Sequence, residues 1–497
     1  MRSMQWRSLA AFLAMALAAA IGSQSARAQD DPTLAKIIDI GRNDNRVMQH
    51  MDYLTNHIGP RLTGSHNLIE AGEWAVSMFE SWGYEAELDV AGEVSVRFER
   101  GPWQGKMIEP EEMAFEFGTA SFTAGTKGKE RAAAVMGPST PEELEAMKGK
   151  LAGAWVLIPA APAGGRGAAR GQRGQRAQRG QQRGQRGAGR GQRRGQRGQR
   201  RGRRGPNLRN LIVEAGARGT ITRATNPISL LGRPPRSYED RATTPDIRLV
   251  DIYYDRVRER LENGEDVVLE FDIRNYMTPG PAPFTNVIAM MRGTEFPDEY
   301  VVFGGHFDSY DSATGTIDNG DGSMTAFEAA RILAAAGVKP RRTIVFALWG
   351  GEEFGLLGSK SWIERNPDMH DKISGFFNQD SGTNAIRGTS GTPGMMDQLH
   401  KALDPINLIN PDFPFEISEK ESFGSGGSSD HASFNRVGIP GFGWSLRGDA
   451  NYGITWHTNW DTYERLFPEY MKHSSAAIAV AAYGLANLDK LLVREPR

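Results

Sequence analysis

The sequence predicts an α/β protein with a mostly parallel central sheet, and three features carry that prediction. Beyond about residue 275, apolar strands alternate with helical segments. Between about 96 and 275 the texture shifts to short strands and turns, as expected of a small β-rich domain inserted into the first. Finally, His306, Glu353 and Asp380 fall just after predicted strands. Open α/β sheets gather their functional groups at those strand ends.

The elements follow in order. Arg2 and Arg7 precede an apolar run over 9–22 that is short for a bilayer span, and Ala26-Arg27-Ala28 gives a small-x-small cleavage pattern. A signal peptide over 1–28 is expected, cut after Ala28, with no transmembrane span in the mature chain and a periplasmic or secreted location. From 30 to 95 the spacing of Ile37, Ile40, Val47, Met51, Leu54 and Ile58 predicts a helix that Gly59-Pro60 ends. A second runs through Ala71, Ala75, Met78 and Trp82 to Gly83, and 84–90 alternates like a half-buried strand.

Within 96–274, strands are expected at 154–158 and 220–222, with a helix at 208–217. Between them lies 163–205, built from Gly-Gln-Arg units without a large apolar residue. Such a segment cannot offset its ordering entropy and is expected to be a disordered loop. From 275 to 497, strands are expected at 286–291, 300–304, 343–348, 375–378 and 441–446. Helices are expected at 323–336, 355–365 and 394–403, and from Pro468 to about Leu492.

Composition narrows the chemistry. The net charge of −1 hides 15 arginines and no acid between Arg166 and Arg204, leaving 44 basic against 60 acidic residues elsewhere. That basic insert reads either as a polyanion-contacting arm or as a repeat expansion tolerated in a surface loop. There is no cysteine. A disulfide framework, a thiolate metal site and a cysteine nucleophile are excluded. Any transition metal must be held by His and carboxylate, which suits zinc, cobalt or manganese.

His306, Asp318, Glu353, Asp380 and His457 are metal-ligating types in chain order, and Glu352 adjoins one of them. Two divalent cations bring four positive charges. Asp318, Glu353 and Asp380 bring three negative ones, and a deprotonated water completes the balance. Such a site lowers the pKa of water from about 15.7 to near 7. Adjacent side chains point apart, so Glu352 suits a catalytic role as general acid/base rather than sharing an ion with Glu353. Asp308 is placed to accept the other N–H of His306 and fix its tautomer.

Five segments resemble the motifs of the M28 zinc peptidases: Gly305-His306-Phe307-Asp308-Ser309, Asp318-Asn319-Gly320-Asp321-Gly322, Gly351-Glu352-Glu353-Phe354-Gly355-Leu356, Asn378-Gln379-Asp380-Ser381-Gly382 and His457-Thr458-x-x-Asp461-Thr462. The resemblance covers about 30–95 and 275–495. It implies a three-layer zinc-peptidase fold with two zinc ions, for which cobalt or manganese could substitute. Asp318 would bridge them, His306 and Asp380 would complete one, Glu353 and His457 the other, and Glu352 would be the general base. The pieces Gly149-Lys150-x-Ala152-x-Ala154-Trp155-Val156-Leu157-Ile158 and Glu214-Ala215-Gly216-Ala217-Arg218-Gly219 resemble the protease-associated (PA) domain inserted in many such enzymes. Ser428-Ser429-Asp430-His431-x-x-Phe434 is similar to a family segment near the active site, where His431 is a substrate-binding candidate. Sequence neighbours cannot form a Ser-His-Asp triad, because their side chains diverge.

The expectation is a peptide-cleaving dinuclear zinc exopeptidase, an aminopeptidase first. The alternatives are a carboxypeptidase or dipeptidase of the same family, a one-zinc glutaminyl cyclase-like acyltransferase, or a non-enzymatic binding protein. Arg387 and Arg447 are candidate partners for a substrate carboxylate. Trp349, Phe354, Trp444 and Trp456 are candidates to line an apolar pocket.

Overall fold

A computed structural model describes residues 31–160 and 207–494. The expected signal peptide and the insert at 163–205 lie outside the described residues. The chain divides into two compact units, one made of the residues up to Arg97 and from Pro279, the other of Phe98–Thr278.

The first unit is built on five neighbouring strands. They are β1 (Val268–Met291, entering from the second unit), β2 (Phe296–His306), β3 (Arg342–Trp349), β4 (Ile373–Asn378) and β5 (Gly441–Gly443). Their order is β5-β4-β2-β3-β1. All neighbours are parallel except β3 and β1. Successive side chains serve opposite faces, as the two-residue period requires. On one face Val301, Phe303, Ile344, Phe346 and Phe377 pack with helices Pro32–Asn43, His66–Ser81, Asp321–Ala336 and Pro468–Ala486. On the other, Val302, Val345, Trp349 and Phe376 pack with Trp362 and Phe434 from helices Leu357–Arg365 and His431–Arg436. Both faces are covered, so these strands read as continuous apolar runs.

Several expected elements differ in detail, and the strand expected at 286–291 already begins at Val268. The opening helix breaks into Pro32–Asn43, Val47–Asp52 and a wide turn at Tyr53–Ile58. Asn45 causes the first break, since its Oδ1 accepts the N–H of Val47 at 3.1 Å and starts a new helix there. The strand expected at 84–90 runs on as Glu85–Glu109, because Val94, Val96 and Phe98 continue the buried alternation. The segment 441–446 is two strands. Trp444 is buried between β5 and Ser445–Arg447, and the latter joins a separate sheet with Ala385–Gly391 and Glu416–Glu419. The last helix ends at Ala486, while Leu488 and Leu492 stay buried without helical structure.

The second unit has its own core around Trp155, Leu157, Ile221, Ile247 and Phe271. Its strands Glu130–Met136, Trp155–Leu157, Gly219–Ala224 and Asp246–Val250 pair in parallel in that order. No helix among the described residues is long and apolar enough to cross a membrane.

Candidate metal centre

Strand register places the first residues of the site. His306 is the last residue of β2 and lies opposite Trp349, the last of β3, from which the chain turns through Gly350-Gly351 to Glu352 and Glu353. Asn378 of β4 lies opposite Gly304, so Asp380 arrives level with His306. Asp318 comes from the turn Thr316–Gly320, where its extended backbone interrupts the helical run, and a cis peptide joins it to Asn319. His457 stands in a left-handed conformation at φ 59°. That is uncommon for a residue with a Cβ and characteristic of sites whose surroundings over-determine the backbone.

All five metal-type side chains converge. His306 Nε2 lies 3.2 Å from Asp318 Oδ1 and 3.6 Å from Asp380 Oδ1. His457 Nε2 lies 3.1 Å from Asp318 Oδ2 and 2.9 Å from Glu353 Oε2. They form two triads, His306–Asp318–Asp380 and Asp318–Glu353–His457, each with ligating atoms within 4.8 Å of one another. Asp318 belongs to both, one oxygen toward each histidine. Glu352 flanks the first triad, with Oε2 3.9 Å from His306 Nε2.

Asp308 is close behind, but its carboxylate is occupied differently from the expectation. His306 Nδ1 finds the backbone carbonyl of Asp308 at 2.9 Å, against 3.6 Å to its carboxylate. The Nδ1–H therefore donates to a carbonyl, which leaves Nε2 as a lone pair facing Asp318 and Asp380. The Asp308 carboxylate instead accepts from Thr63 Oγ at 2.6 Å and from the N–H groups of Glu352 and Glu353 at 3.1 and 3.4 Å. It ties the loop after β2 to the loop after β3.

Other supporting groups are absent from the sequence reading. Arg61 is fully buried, and its guanidinium donates to the carbonyls of Phe307 and Gly315, both at 2.7 Å, and of Thr314 at 3.2 Å. Burial lowers it to about 10, with Asp461, Asp308 and Asp318 acting in the opposite sense. Gly315 itself has φ 63°, and a Cβ there would strike Ser309 Oγ at 2.1 Å. Asp461, quoted only as part of a motif, accepts the N–H groups of Ile317 and Asp318 and so fixes the Asp318 turn. Asn319 donates to the Gln379 carbonyl at 2.9 Å, joining that turn to the end of β4.

The electrostatics define what the site lacks. Burial pushes Glu353 up to about 7, with Asp318 adding repulsion. Burial likewise pushes Glu352 up to about 11 against the pull of His306, with Asp380, Asp430 and Glu353 repelling it further. Burial alone would lower His306, but Glu352, Asp380, Asp308 and Asp318 more than reverse that. Glu353 Oε1 and Asp318 Oδ2 are buried without a hydrogen-bond donor of proper geometry. Buried carboxylates with two imidazoles are short of positive charge. Divalent cation binding at these triads would supply it, and an oxygen/nitrogen donor set without thiolate fits zinc.

The surroundings sort the remaining candidates. Tyr310 meets the His457 ring edge-on at 4.9 Å, Trp456 stacks on it at 4.3 Å, and Phe354 lies 6.1 Å from Tyr310. Trp349 and Trp444 are not pocket walls. Trp349 is fully buried against Trp362 and Phe376, and Trp444 packs on Phe377 and Phe415. Arg447 pairs with Glu416 at 3.1 Å, and Arg387 lies over the Phe413 ring, so both belong to the three-stranded sheet. His431 feels the charge of Asp380 and keeps a buried Nδ1 without a partner.

Known proteins resemble this chain in part of its sequence and in its fold. Residues 286–482 match Peptidase family M28. Carboxypeptidase Q of Mus musculus is 29% identical over 237 residues, covering 46% of this chain and 47% of that one. The chain thus spans about half the length of the curated relatives it matches. A Peptidase M28 precursor from Shewanella amazonensis superposes with a TM-score of 0.62 at 23% identity, covering 93% of this chain and 98% of that one. A zinc aminopeptidase from Bacillus subtilis does so with a TM-score of 0.52 at 17% identity, covering 90% and 98%. The structural likenesses show the fold, and the sequence match assigns it: residues 286–482 are a Peptidase family M28 domain.

Proposed function

We propose that this chain is a dinuclear zinc exopeptidase acting on peptide substrates. The observation that carries the reading is the sharing of Asp318 between two complete ligand triads. His306, Asp318 and Asp380 would hold one ion, and Asp318, Glu353 and His457 the other. Zinc held there would supply Lewis acidity, polarising a peptide carbonyl and acidifying water. The chain's own residues do the rest. Asp308 and Arg61 hold the loops in register. Glu352, beside the first triad and ligating in neither, takes the water's proton and returns it to the departing amine.

An aminopeptidase is the first reading of polarity, supported by the likeness to a zinc aminopeptidase. A carboxypeptidase or dipeptidase is the second, favoured by the sequence match to carboxypeptidase Q. The N-terminal sequence supports a secreted or periplasmic enzyme, and the motifs at 149–158 and 214–219 support a PA-like second unit.

The test is a panel of aminoacyl amides, N-blocked peptides, free dipeptides and peptides blocked at both ends, each with and without a zinc chelator. The reading expects hydrolysis that the chelator abolishes and that blocking one terminus abolishes. Cleavage of peptides blocked at both ends, or cleavage indifferent to the chelator, would refute it.

A further inference from the structure

We propose that Lys420 is the specificity-determining residue that receives a carboxylate of the peptide substrate, on the Asp380 side of the centre. The proposal rests on the exopeptidase reading above. The backbone of Lys420 is fixed, since its N–H donates to the Gly391 carbonyl at 2.9 Å just past strand Glu416–Glu419. Its ammonium lies 3.4 Å from the centre of the Phe423 ring and 5.7 Å from that of Phe442. Phe442 in turn stacks on Phe377, three residues before Asp380. The cation is therefore seated beside β5, the strand that pairs with the one leading to Asp380.

Among the described residues this lysine has no carboxylate within ion-pair distance. Lys106, Lys148 and Lys401 each pair with a carboxylate within 2.8 Å. Among the described residues none pairs with Lys420, although the chain outside its basic insert is acidic. Burial lowers the ammonium to about 8. Rings hold it in place without neutralising it, so an arriving anion gains a partner already oriented and partly desolvated. Burial lowers the His431 imidazole, Lys420 lowers it further and Asp380 opposes them, so both charges bear on one ring. Residues 424–428, between the lysine and that histidine, are exposed glycine and serine. The anion a peptide carries is a carboxylate, from its C-terminus or from an acidic side chain.

The test uses the zinc-loaded full chain as wild type, Lys420→Ala and Lys420→Arg. Substrates are leucyl-alanine, leucyl-alanine amide and leucyl-glutamate with its α-carboxylate amidated. The wild type is expected to prefer the free acid over the amide. That ratio of kcat/KM should fall at least about tenfold in Lys420→Ala, mainly through KM, and recover in Lys420→Arg. Rescue of the amide by the glutamate side chain would assign the site to a side-chain carboxylate, and its absence to the α-carboxylate. A ratio unmoved by Lys420→Ala would overturn the proposal. Calorimetric binding of alanine against alaninamide gives a readout independent of turnover. Absence of any hydrolysis by the wild type would sink the exopeptidase reading. Loss of the alanine preference in Lys420→Ala would still uphold the lysine's role, and no loss would overturn it.

Discussion

The half of the candidate centre around His457 lies against aromatic rings, whereas the half around His306 lies against polar and charged groups. Tyr310 and Trp456 contact the His457 ring directly. His306 is instead held by the Asp308 carbonyl, with Glu352 and Asp380 alongside. Asp318 is the one side chain common to both. The contrast shows how two similar ligand triads can serve a substrate asymmetrically. One wall suits an apolar side chain, and the other suits charge and proton transfer.

The largest effect tests the shared residue. Asp318→Ala should weaken both halves at once, with zinc content falling well below that of the wild type and kcat/KM falling about a thousandfold or more. Elemental analysis beside steady-state kinetics checks this, and retention of full zinc would break the comparison at its hinge. Glu352→Gln should lower kcat about a hundredfold to ten-thousandfold while zinc content stays at the wild-type level. Loss of zinc in that variant would make Glu352 a ligand rather than the base.

Asp380→Ala and His457→Ala should each leave about one zinc per chain, removing opposite halves. Their residual activities sharpen the contrast, since only Asp380→Ala disturbs the charged wall. The smallest effect belongs to the rings. Trp456 is 47% exposed beside His457, and Trp456→Ala should reduce the preference for large apolar substrate side chains by about tenfold or less. A substrate series from alanine to phenylalanine measures it, and an unchanged series would remove the aromatic wall from the account.

The charged half is the more legible in the sequence. His306 and Asp380 follow short continuous apolar strands, and a parallel register brings strand ends together without further information. The turn that delivers Asp318 is marked by its glycines. What supports these residues is far less visible. Arg61 follows Gly59-Pro60, which reads as a helix stop, and its acceptors Phe307 and Gly315 lie 246 and 254 positions away. No local pattern signals that a charged side chain will be fully buried by such distant carbonyls. Asp308 is legible as a neighbour of His306, but the use of its carboxylate on Thr63, Glu352 and Glu353 depends on where three loops meet. The tryptophans mislead for a simple reason. Large rings suit a core and a pocket equally, and for Trp349 and Trp444 only packing distinguishes them.

The most direct test of the central claim is zinc per chain, measured on purified protein alongside peptide hydrolysis through removal and return of the metal. The account expects two zinc ions per chain, loss of hydrolysis on chelation, and recovery as zinc is restored. At most one ion at saturating zinc, or hydrolysis persisting in zinc-free protein, would contradict it.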